Sequence, residues 1–175
     1  QVMGLRRFFS FLVERQFIQT NPVSNVTVAH IPAEAVPVDK LEKMFRYLCQ
    51  HQVSEAPVEC VRYCRDELIL MFMLFLGIRQ YQIPALKISG LKKENGSYFI
   101  GTGPNDSQKL DGTTLQLLHT YLKGRQSNGD TIFVDPTSKR PVTSASLRTL
   151  MTELSYSAGS LINPKSIRHT FEQFQ

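Results

Sequence analysis

The chain has 175 residues, 42% of them hydrophobic and 20% charged, with a formal net charge of +5. That balance excludes a disordered or fibrous chain and leaves room for one main domain with a fragment of a second. Three cysteines, an odd number, argue against a disulfide framework and for a reducing compartment. The longest apolar run, Leu68 to Gly77, is too short to span a bilayer. The positive charge admits an anionic partner without selecting one. Gln1-Val2-Met3-Gly4 has no features of a secretory signal, and a start on Gln1 makes a piece of a longer intracellular product the expectation.

Residues 5–18 carry Leu5, Phe8, Phe9, Leu12, Val13 and Phe17 at helical spacing, and Asn21-Pro22 ends that helix. Residues 23–37 lack amphipathic pattern and read as an extended linker. Asp39 can cap a helix through Leu41, Met44 and Leu48, and Pro57 falls in the following break. The most apolar helix is expected over 65–76, closed by Gly77, with a short helix over 81–86. Asn95-Gly96 is a strong hairpin signal, so residues 92–100 should form two strands and 107–110 a third. A helix opened by Thr113 or Thr114 should run to Gly124, and residues 131–134 read as a short strand. Thr143 or Ser144 caps a further helix, and Pro164 opens the last one. The expected fold is mainly α with a small antiparallel β-sheet.

Three stretches, in order, resemble the tyrosine recombinase (phage integrase) family. Leu74-Phe75-Leu76-Gly77-Ile78-Arg79-Gln80-Tyr81-Gln82-Ile83-Pro84-Ala85-Leu86 is similar to the family box TGLRxxELxxL. The Asn95-Gly96 hairpin, the Gly101-Thr102-Gly103 turn and the helix ending Leu118-His119-Thr120-Tyr121-Leu122 resemble its sheet and following helix. Pro164-Lys165-Ser166-Ile167-Arg168-His169-Thr170-Phe171 is similar to HxLRHTFAT. Ile132-Phe133, Pro141-Val142-Thr143-Ser144 and Asn21-Pro22-Val23 also match family passages.

The resemblance implies a DNA breaking-rejoining fold, with residues 1–25 the end of a helical core-binding domain. Residues 26–37 would then be a linker and 38–175 a catalytic domain incomplete at its C-terminus. It further implies a site-specific recombinase or integrase that cuts and rejoins duplex DNA through a 3′-phosphotyrosyl link. Such an enzyme needs no metal or other cofactor. It would act on double-stranded DNA with inverted-repeat sites as a homotetramer, away from membranes, at the nucleoid of a bacterial cytoplasm. The alternative is a degenerate DNA-binding protein that kept the fold and lost catalysis.

By this resemblance Arg79 and Arg168 grip the scissile phosphate, since planar guanidinium groups hold charge that grows on its oxygens. Each also reads as an ordinary arginine at a helix surface. Lys165 stands where most members have histidine and would share the phosphate, three residues before Arg168 on one helical face; a surface lysine is the other reading. His169 is a supporting or a structural histidine. Thr102 occupies the slot of the family's catalytic lysine, and Lys109 is either its displaced substitute or a strand lysine. Gln82 replaces a glutamate that would buttress the site. Arg6 and Arg7 read as a DNA-facing edge or as a solvated face above buried aromatics. Only seven residues follow Arg168 and none is a tyrosine, so the nucleophile is expected outside this chain, with Tyr121 and Tyr156 core or surface aromatics. Cys49, His51, Cys60 and Cys64 match no standard zinc spacing.

Overall fold

Apolar residues without interruption need burial on every side, and residues 68–74 obtain it in the central helix. In this computed structural model, residues 2–25, 34–53, 56–103 and 106–173 are described. The chain divides into two compact units, Gln1–Pro32 and Ala33–Gln175. Most of the expected linker, residues 26–33, lies outside the described residues.

In the first unit, helix α1 spans Val2–Glu14, shorter than the 5–18 expected. Gln16 takes φ 60°, and its N–H and that of Phe17 donate to the carbonyls of Val13 and Leu12, both at 2.9 Å. This left-handed cap turns the chain although no glycine announces it. Asn21 then fastens the returning segment. Its Nδ2 donates to the Arg6 carbonyl and to Ser10 Oγ, and its Oδ1 accepts from Val23 N.

In the second unit, α2 (Val38–His51), α3 (Pro57–Phe75), α4 (Gly112–Gly124), α5 (Ser144–Ala158) and α6 (Pro164–Gln173) surround a three-stranded sheet and one apolar core. Helix α3 packs on α2, α4 and α6, and α2 on α5. It begins at Pro57 and not at Arg65, because a proline with no N–H to satisfy suits the first helical position. Leu68, Leu70, Phe72 and Leu74 of α3 are fully or almost fully buried, as are Met44, Leu48, Leu118 and Leu154 in the same core. Each such side chain contributes about 1.5–3 kcal/mol on leaving water. Pro37, and not Asp39, sits at the N-cap of α2. Asp111 caps α4 through Thr114 N, and Thr143 forms a capping box with Ser146 on α5.

The sheet runs β1 (Leu91–Glu94), β2 (Ser97–Gly103), β3 (Asp106–Leu110), all antiparallel in that order. Asn95 and Gly96 take φ of 49° and 78°, the pair of positive values a two-residue hairpin turn requires. Ile100 and Leu110 point into the core, while Lys92, Phe99 and Lys109 form one cross-strand row. Pro84 limits the expected 81–86 helix to a single 3-10 turn, Ile83–Ala85.

Residues 131–134 are not a strand; they form only isolated bridges, Lys87 with Thr131 and Val134 with Pro141. Side chains take the place of a neighbouring strand. Buried Arg125 donates to the carbonyls of Gly129, Thr131 and Ile132. Arg65, paired with buried Asp66 at 2.7 Å, reaches the Val134 carbonyl, and the Tyr121 hydroxyl accepts from Val134 N at 3.0 Å. None of these charges was readable as buried from the sequence. Arg125→Met should leave three carbonyls without a donor and cost about 2–4 kcal/mol. Urea unfolding measures it; a loss within about 0.5 kcal/mol, as for a surface residue, would refute this reading of Arg125.

Candidate nucleic-acid interface

Helix α3 closes on Gly77, whose φ of +63° suits a residue without a side chain. The last helix crosses there: a Cβ at Gly77 would lie 2.5 Å from Phe171 Cε1. The same residue offers its carbonyl to Arg168 Nη1 at 2.9 Å. The turn after the central helix is thereby joined to the middle of α6 by ring packing and by a charge-assisted hydrogen bond.

Helix α6 starts at a cap built by Asn163. Its Oδ1 accepts from Lys165 N and Ser166 N, each at 2.9 Å, and its carbonyl accepts from Ser166 Oγ. Pro164 takes the first turn. From that start, Ile167 and Thr170 face inward, and Thr170 Oγ1 accepts from Val36 N at 2.7 Å. Lys165, Arg168, His169 and Glu172 therefore share the opposite face at helical spacing.

That face and the turn after α3 enclose a pocket of about 600 Å³ lined by Arg79, Tyr81, Lys165, Arg168, His169 and Glu172, with Met73, Ile78 and Ile167 also in its wall. Three cations meet one carboxylate there. Glu172 accepts from Arg168 Nε at 2.8 Å and stands 3.6 Å from His169 Nδ1. The Arg168 guanidinium also lies over the Phe171 ring, 5.1 Å from its centre. Arg168 is held from three sides, while Arg79 is exposed and its Nη1 lies 3.5 Å from the Tyr81 hydroxyl. Backbone position, and not side-chain clamping, fixes Arg79: its N–H donates to Gln82 Oε1 at 2.8 Å, and its carbonyl accepts from Gln82 N.

Arg79, Lys165, Arg168 and His169 are thus brought together; Thr102 and Lys109 do not line this pocket. The Thr102 hydroxyl donates to Asp106 Oδ2 at 2.6 Å within the hairpin. Lys109 pairs with Phe99 in the exposed row of the sheet. Gln82 is no empty substitute for glutamate, since its Nε2 donates to the Thr102 carbonyl at 3.2 Å. Tyr81 and Glu172 belong to the pocket and do not stand out in the sequence. The spacing of Glu172 four residues after Arg168 was the available signal for one of them.

In the first unit Arg6 and Arg7 are exposed on α1, and Arg6 Nε donates to the Val23 carbonyl at 3.3 Å. Of the aromatic residues beside them, Phe8 is about half exposed and Phe9 is half-buried. Tyr121 is a core residue and Tyr156 a surface one. Cys49, Cys60 and Cys64 form no disulfide with one another, and burial pushes the Cys64 thiol up to about 11. Among the described residues no group of three or more His, Cys, Asp or Glu side chains can hold a metal ion, and no helix is long and apolar enough to cross a membrane.

Gly77→Ala should force Phe171 aside and strain the turn, costing about 1–3 kcal/mol. Phe171→Leu in the same chain should recover part of that loss in a double-mutant cycle. Additive effects in thermal unfolding would show that the ring and the glycine are not in contact.

No family model and no curated protein matches this sequence. Among solved structures, the chain is similar to the XerH site-specific recombinase bound to difH substrate in a pre-cleavage complex (21% identity, TM-score 0.61), covering 97% of this chain and 51% of that one. It is similar to XerA recombinase (16% identity, TM-score 0.62), covering 97% and 66%. It is also similar to the Tn1549 transposon integrase in complex with circular intermediate DNA (16% identity, TM-score 0.54), covering 97% and 62%. The chain thus spans between about half and two thirds of the length of these proteins. Among the described residues, the helices α2–α6 with a three-stranded antiparallel sheet, and a likeness over 97% of the chain, give it the fold of the tyrosine recombinase catalytic domain.

Proposed function

We propose that this chain is the phosphate-gripping part of a site-specific DNA recombinase or integrase. It would cut and rejoin duplex DNA through a 3′-phosphotyrosyl intermediate whose tyrosine lies outside these 175 residues. The observation that carries the reading is the meeting of Arg79, Lys165 and Arg168 around one pocket, from segments far apart in sequence. A tyrosine hydroxyl gives its proton to solvent or a neighbouring base as its oxygen attacks phosphorus, the bond to the 5′-oxygen breaks, and that oxygen leaves with the electron pair and takes a proton. Charge grows on the two non-bridging oxygens as this happens. Two guanidinium groups can hold them through the transition state. Lys165, at the pocket's edge, is the proton donor in this account, and His169 supports the phosphate. Because the phosphotyrosyl link conserves the energy of the broken bond, the chemistry calls for no metal or other cofactor. A 5′-hydroxyl of the partner strand reverses the step.

The reading carries further proposals: duplex DNA with inverted-repeat sites as substrate, a homotetramer on that DNA, and a bacterial, nucleoid-associated location. Arg6 and Arg7 would add DNA contacts from the first unit. A second reading, a DNA-binding protein without catalysis, is favoured by one specific observation. The slot of the family's hairpin lysine holds Thr102, and its hydroxyl is already engaged by Asp106.

Binding of this chain to duplex DNA should weaken with salt, the log–log slope falling by about 0.9 for each phosphate neutralised. Arg79→Ala with Arg168→Ala should flatten that slope and leave the fold intact. A salt titration without slope in the wild-type chain would make the basic surface incidental.

On a nicked suicide substrate the 175-residue chain should form no covalent adduct, and its parent protein should form one through a single tyrosine. Arg168→Ala in the parent should slow adduct formation by about 10²–10³. A parent that binds its site tightly and never forms an adduct would establish the second reading and defeat the first.

A further inference from the structure

The residues that carry charge in the pocket and those that carry it on the sheet are joined by one neutral side chain. Gln82 accepts from the Arg79 N–H through Oε1 and donates to the Thr102 carbonyl through Nε2. The glutamine amide does both, whereas an ionised glutamate keeps the acceptor and has no donor, and methionine fills a similar volume with neither.

The bond to Thr102 falls at an irregularity in the sheet. Across β2 and β3 the register passes from Gly101 opposite Ser107 to Gly103 opposite Asp106, so Thr102 sits in a bulge without a ladder partner. A bulge frees backbone groups and bends the strand, and Gln82 uses the carbonyl released there. Beyond the bulge, Lys92 and Lys109 flank Phe99 in the exposed cross-strand row. Strands about 4.8 Å apart put those two lysines roughly 10 Å from each other. Neither forms an ion pair among the described residues.

We propose that Gln82 is a positioning residue. It locks the bulge at Thr102 to the turn that presents Arg79, so that the lysine row of the sheet and the arginine pocket grip one DNA backbone as a single rigid unit. This rests on the DNA-binding reading given above. The glutamine in place of the family's glutamate is then a change of partner: a carboxylate cannot donate to the Thr102 carbonyl and would be repelled by it.

Gln82→Glu and Gln82→Met in the 175-residue chain test the proposal with two readouts. Residue-resolved hydrogen exchange needs no DNA. In Gln82→Glu the Arg79 amide should stay protected while the β2 and β3 amides around the bulge exchange faster; in Gln82→Met both sites should exchange faster. Duplex binding followed against salt is the second readout. Gln82→Met, which adds no charge beside Arg79, should bind about five- to tenfold more weakly, with a slope shallower by roughly one phosphate contact, a change that a mere loss of folding stability does not produce in a folded variant. Exchange that matches wild type in both variants overturns the bridge. Faster exchange with wild-type affinity and slope overturns its role in gripping DNA. A wild-type chain that binds no duplex at any salt brings down the DNA-binding reading itself, and that outcome is told apart by the exchange data.

Discussion

The ring of Phe171 occupies the space that a side chain at residue 77 would need, and the pocket follows from that exchange. Because Gly77 has no Cβ, α6 can approach the end of α3 closely enough for Arg168 to reach the Gly77 carbonyl. The glycine's left-handed backbone then sends the chain outward, so that Arg79 emerges two residues later beside the face that carries Lys165, Arg168 and His169. One small residue thus sets both the distance between the two arginines and the direction of the first.

The charged face of α6 is tolerated because its other face is fixed. Ile167 and Thr170 are buried, Asn163 satisfies the first turn, and Thr170 holds the backbone at Val36. A helix so anchored keeps Lys165, Arg168 and His169 on one solvent-facing side, around a shared cavity. Glu172 offsets part of their repulsion without filling the pocket. Buried Arg65 and Arg125 serve the backbone instead, satisfying the carbonyls of a loop that has no neighbouring strand.

What was legible in the sequence was local. Asn95-Gly96 dictates a turn with two positive φ values, Pro164 and Thr143 mark helix starts, and the apolar run around Leu70 requires a buried helix. The arginine boxes were readable because glycine, arginine and apolar residues fall there at spacings that one helix end and one helix face impose. What stayed hidden depends on partners distant in sequence. Nothing local marks Arg65, Asp66 or Arg125 as buried, since the sequence does not reveal which carbonyls will meet them in the core. The start of α3 at Pro57 was hidden because a proline reads equally as a break between helices and as a first helical residue. Gln82 read as the loss of a carboxylate, because its second hydrogen bond crosses to Thr102, twenty residues away. Tyr81 looked like any exposed tyrosine until the last helix supplied the other wall of the pocket.

The recombinase reading stands or falls on whether Arg79 and Arg168 address the same phosphate. The direct measurement replaces one phosphate at a time in the parent's recombination site with an uncharged methylphosphonate, and reads the binding of wild type, Arg79→Ala and Arg168→Ala to each duplex. A shared phosphate predicts a single position at which neutral linkage weakens wild-type binding and at which both substitutions lose their effect together. Arginines whose effects vanish at different positions, or at none, would contradict it.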